Sequence, residues 1–127
     1  MRKVKIIVKR TKTGFAVYAT KFPVATTGKN LPELKQHIVG ALNLYFAHNG
    51  IKLITEDDLR VVIELPQFFK FYKIINAKAL SERIGMNQSL LAQYIKGHKT
   101  PSPMQAQRIL EGIHQTAKEL AAIKFQL

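Results

Sequence analysis

The stretch "NAKALSERIGMNQSLLAQYIKGHKTPSP", residues 76–103, holds two helical periods separated by a glycine. Its apolar positions are Leu80, Ile84, Met86, Leu91 and Tyr94, and Ser81 is small where two crossing helices need a small residue. Gly85 supplies the turn, because glycine enters positive φ without a steric penalty. Asn76 and Asn87 stand where N-caps belong, and Gly97 closes the second helix. Once the apolar positions are assigned to a core, a polar leading edge remains, Asn87-Gln88-Ser89. A basic rim follows it, Lys96, His98 and Lys99. A hairpin that only fills a bundle needs neither, so the pattern predicts a helix-turn-helix whose second helix contacts DNA.

Working outward, Ser102, Pro103 and Gln105 form a capping-box start for a last helix. Ile109, Ile113, Leu120 and Ile123 keep helical spacing along it, with an interruption expected near Gly112. Upstream, "QFFKFYKII" reads as a dense apolar helix with Phe68, Phe71, Tyr72 and Ile75 on one side. Pro66 cannot donate to a sheet ladder and restricts its predecessor, so it marks a boundary between domains at 1–65 and 66–127.

The first domain alternates with period two. Val4, Ile6 and Val8 interleave with Lys3, Lys5 and Lys9, which is a strand with one wet face. "KTG" is a hairpin turn, Phe15 and Val17 lie in the returning strand, and "FPVATTG" gives a third, short one. Leu31, Leu34, Ile38, Ala41, Leu42 and Tyr45 then make one helical stripe. Asn30 caps it, Glu33 sits in capping-box position, Pro32 lies in the first turn and Asn49-Gly50 ends it. After a loop containing "TEDD", "LRVVIEL" returns to strand. The β-β-β-α-β order predicts a small α+β domain followed by an all-α one.

Charge narrows the partners. The 127 residues hold 20 Lys and Arg against 8 Asp and Glu, a net +12. The 65 residues up to Leu65 hold 11 basic and 5 acidic residues and the remainder 9 and 3, so each half carries +6. Such an excess favours a polyanion, through release of counterions from its phosphates. With no cysteine, disulfides and zinc-thiolate sites are excluded. No apolar run reaches the roughly 18 residues of a membrane span and no signal-peptide pattern opens the chain, so a cytoplasmic location is expected.

The residues in "ALSERIGMNQSLLAQYIKGHKTPSP" resemble the helix-turn-helix of the Cro- and XRE-type (lambda-repressor-like) repressor family. The resemblance implies that the first turn of the second helix faces base edges in the major groove. Asn87, Gln88 and Ser89 occupy that turn and Gln93 follows one turn on. Gln88 suits an adenine edge, and Ser89 suits bases or phosphate. Lys96, His98 and Lys99 would hold phosphate and so fix register. Tyr94 has two readings, a ring in the core or a hydroxyl on the DNA backbone.

"KRTKTGFAVYATKFPVATTGKNLPELKQHIVGALNLYF" resembles the HicB-type antitoxin domain, which implies a partial ribonuclease H-like fold that blocks a HicA-type, mRNA-cleaving toxin. Its pairing with the second module resembles HicB-like antitoxins that bind their own operator. Where that family often carries an acidic helix, this chain reads "LPELKQHIVGALN".

An enzyme reading finds little. Two-metal nuclease chemistry needs several converging carboxylates, and "KVKIIVKR" has none. Glu56, Asp57 and Asp58 are consecutive and diverge, while His37, His48, His98 and His114 lack metal-ligand spacing. The expectation is a non-enzymatic antitoxin-type repressor without cofactor or metal, acting as a homodimer or dimer of dimers on double-stranded operator DNA. The alternatives are a protein-interaction module that reads no DNA, a solitary regulator without a toxin, and an RNA-binding protein. The last wants exposed aromatics on a sheet, and Phe15, Tyr18 and Phe22 read equally well as core.

Overall fold

The computed structural model describes residues 3–127, which form two compact units divided between Phe71 and Tyr72. In the first unit β1 (Val4–Arg10), β2 (Phe15–Ala19) and β3 (Ala25–Gly28) run as an antiparallel meander. Helix α1 (Leu31–His48) follows and carries the chain to β4 (Leu59–Ile63), which pairs parallel with β1. Among the described residues the sheet is thus mixed, in the order β3-β2-β1-β4. The α+β class and the β-β-β-α-β order agree with the sequence pattern.

Alternation decides which face is dry. Val4, Ile6 and Val8 of β1, Val17 and Ala19 of β2, and Leu59 of β4 are buried with the stripe of α1. That stripe is Leu31, Leu34, Ile38, Leu42 and Phe46, with the expected Tyr45 partly buried against the same core. Each fully buried side chain of this kind contributes roughly 1.5–3 kcal/mol. Phe22 packs edge-on against Phe46, with centroids 4.8 Å apart, and Phe15 meets Phe71 at 4.3 Å.

Helix α1 starts as its caps dictate. Asn30 Oδ1 accepts the Glu33 N–H at 2.9 Å. Glu33 reaches back to the backbone N–H of Lys29 at 3.4 Å rather than to that of Asn30, so the expected box closes one residue early. Beyond α1, Asn43 pairs with Ile54 through both amide atoms, at 2.8 and 2.9 Å. This side chain imitates a backbone partner and ties the connection to β4 onto the helix.

The boundary lies later than Pro66. Helix α2 (Leu65–Phe71) takes Pro66 in its first turn and belongs to the first unit, where Phe71 joins the core beside Phe15. The expected long helix "QFFKFYKII" therefore stops at Phe71; Tyr72 and Ile74 are exposed.

The second unit is helical: α3 (Ala77–Ile84), α4 (Gln88–Lys96) and α5 (Pro103–Ala121). Leu80, Ser81, Met86, Leu91, Tyr94 and Ile109 form its buried residues. Helix α5 runs through Gly112 without the expected interruption. The glycine serves contact instead, since a Cβ there would overlap the Cγ2 methyl of Ile84.

Candidate nucleic-acid interface

The connection between α3 and α4 is held by backbone chemistry. Gly85 has φ 67°, in the left-handed region, and its neighbour Met86 donates its N–H to Ser81 O at 2.9 Å. This is a Schellman closure with the following apolar residue, Met86, buried. The carbonyls left over at the end of α3 are taken by Arg108 of α5. Its Nη2 donates to Ile84 O at 2.7 Å and to Gly85 O at 3.0 Å, while Nη1 donates to Gln105 at 3.2 Å. One guanidinium thus staples the turn to the last helix.

From that turn α4 starts on Asn87, whose Oδ1 accepts the Leu90 N–H at 3.1 Å. The cap therefore uses the Asn87 oxygen, and the residue remains exposed. Gln88 and Ser89, next along the chain, are exposed, as is Lys96; Ala92 and Gln93 are half-buried. At about 100° per residue these five positions cover an arc of about 140° on one side of α4. Leu91 and Tyr94 form the buried side. Tyr94, at 7% exposure, belongs to the core and is not brought to the outer face.

The far end of α4 repeats the device of α3. Gly97 sits at φ 79°, and the N–H groups of His98 and Lys99 both reach Gln93 O, at 2.9 and 3.3 Å. The backbone of the basic rim is thereby anchored, and the side chains of Lys96, His98 and Lys99 are all exposed. Residues 72–127 contain 8 basic and 3 acidic side chains. Of the acidic ones, Glu119 is paired with Arg83. That hydrogen bond holds the Glu119 carboxyl below its ordinary range and raises Arg83 further.

The structure thus brings Gln88, Ser89, Gln93 and Lys96 onto one face, with Asn87 at its start and His98 and Lys99 at its end. Two residues escaped the sequence reading. Ala92 lies at the centre of the outer face, one turn beyond Gln88, and the helical period alone would have placed it there. Arg108 gave no local signal, because its partners lie 23 and 24 positions upstream.

Against α3 and α5 the helical unit has an apolar cleft of about 460 Å³, lined among others by Ile74, Leu80, Ile113, Ala117 and Leu120. Ile74 is 91% exposed, and beyond α5 Ile123, Phe125 and Leu127 are exposed as well. Among the described residues, no three His, Asp or Glu side chains converge to hold a metal ion, and no helix is long and apolar enough to cross a membrane. Comparison of the chain with protein-family models, with curated protein sequences and with solved structures finds no match.

Proposed function

We propose that this chain is a sequence-specific, DNA-binding repressor of the HicB antitoxin type, non-enzymatic, which binds its own operator. The observation that carries the reading is the outer face of α4. A short helix with a polar, uncovered arc is set on a stapled turn and followed by an anchored basic rim. Gln88 then reads an adenine edge, Ser89 a base or phosphate, and Ala92 a thymine methyl, while Lys96, His98 and Lys99 hold phosphate. The buried Tyr94 supports the helix from behind.

One such helix covers too little DNA for tight binding. Two copies related by a dyad would place their α4 helices about 34 Å apart, in successive major grooves on one side of a palindromic site. The apolar cleft, which no residue of α4 lines, and the exposed Ile74 and Phe125 favour a homodimer joined through these apolar surfaces. A HicA-type toxin is the partner proposed for the first unit. Residues 1–71 hold 12 basic and 5 acidic side chains, so such a toxin would dock through an acidic or apolar surface.

The test is a binding titration against the DNA upstream of the protein's own gene. Salt-sensitive and sequence-selective binding is expected, with a slope that reports the phosphates neutralised. Binding indifferent to both salt and sequence would overturn the reading in favour of an interaction module. Co-purification with the product of a small neighbouring reading frame tests the toxin separately.

A further inference from the structure

Helix α1 covers one face of the four-stranded sheet, and the other face carries a second pattern. Ala25, Tyr18, Ile7 and Val62 lie in one row across all four strands. Tyr18 is 38% exposed and Val62 37%. Along the chain the neighbours of Tyr18 on this face are Ala16 in β2 and Thr20 just beyond it, both small, and Tyr18 keeps part of its surface in solvent. Phe15 and Phe22, by contrast, pack against the core.

Next to that row, Lys5 and Arg60 are direct partners on the parallel strands β1 and β4. Like charges abreast on one sheet face repel. Neither has an ion-pair partner among the described residues. The carboxylates at the two ends of β4 are already engaged, Asp58 with the Thr55 N–H at 2.9 Å and Glu64 with Lys9 at 3.5 Å. The face therefore combines a partly exposed aromatic ring with two adjacent cations that have no ion-pair partner among the described residues.

We propose that this uncovered sheet face binds single-stranded nucleic acid, Tyr18 stacking on a base while Lys5 and Arg60 hold backbone phosphates. A duplex hides the faces of its bases, whereas a single strand offers them to a flat aromatic platform. A second copy of the chain would bring its own Lys5 and Arg60 against this pair, so an anionic occupant fits the charge. An acidic peptide would satisfy the cations without using the ring. The site belongs to the first unit and does not depend on the duplex-reading role proposed for α4.

The experiment is fluorescence anisotropy with labelled twelve-residue oligouridylate and oligothymidylate, using the full chain, with an oligoglutamate peptide as competitor. Tyr18→Ala should weaken binding about tenfold, within the range of one lost base–aromatic stack, and Tyr18→Phe should restore it. Lys5→Ala with Arg60→Ala should weaken binding and flatten its salt dependence. Because the chain has no tryptophan, quenching of tyrosine emission by the oligonucleotide, lost in Tyr18→Ala, gives a second readout. Tyr18→Ala binding like wild type, or oligoglutamate displacing the strand at equal charge concentration, would overturn the proposal, the latter in favour of an acidic protein partner.

Discussion

At the scale of the residue, the role proposed for the outer face of α4 comprises two jobs that substitution can tell apart. Gln88→Ala removes a side chain able to pair with a base edge, so preference at one operator position should relax, by about tenfold in relative affinity. Lys99→Ala removes the proposed phosphate contact, so every sequence should weaken alike and the salt slope should shrink by about one. Titrations against a panel of operator variants check both. Arg108 acts without touching that face. Arg108→Ala leaves the Ile84 and Gly85 carbonyls to water and should cost about 1–3 kcal/mol in urea unfolding, since the lost bonds come from a charged donor. Asn30, Asn76, Asn87 and Ser102 were legible as caps because capping is a local contract over three residues. Arg108 was not, because nothing in its neighbourhood announces two carbonyls in another helix.

At the scale of the element, Gly112 shows how one residue type supports opposite readings. Glycine lowers helix propensity, so an interruption was the local expectation. The packing of α5 against α3 overrides that preference, because Ile84 occupies the space a side chain would need. Gly112→Ala should therefore destabilise the helical unit by about 1–3 kcal/mol despite alanine's better propensity, as overpacking does. Thermal unfolding followed by circular dichroism decides the sign. Helix α2 teaches a related lesson. Its apolar run pointed to a helix, correctly, but Pro66 suggested that the helix opened a new domain. A proline in the first turn of a helix is equally compatible with continuing the old one, and the contact between Phe15 and Phe71 made that choice.

At the scale of the whole molecule, association is the property the fold leaves open and the surface suggests. Ile74 and Phe125 are 91% and 87% exposed, so charging both should leave the folded monomer intact. Ile74→Glu with Phe125→Glu should shift sedimentation from the proposed dimer to monomer and weaken the proposed operator binding, with the melting temperature of the monomer unchanged. A dimer that persists would move the interface elsewhere. Strand alternation and helix period made the α+β order readable, since both are properties of short windows. The pairing of β4 was not readable, because parallel partners lie far apart in sequence. That separation has a kinetic consequence. β1 meets β2 across a short hairpin, Ile6 with Ala19, but it meets β4 only after Val4 and Leu59 close a loop of 55 positions. Loop closure of that length is entropically slow, so the hairpin should form early in refolding and β4 should join last. Val61→Ala in β4 should then speed unfolding and leave the folding rate nearly unchanged, whereas Val17→Ala in β2 should slow folding.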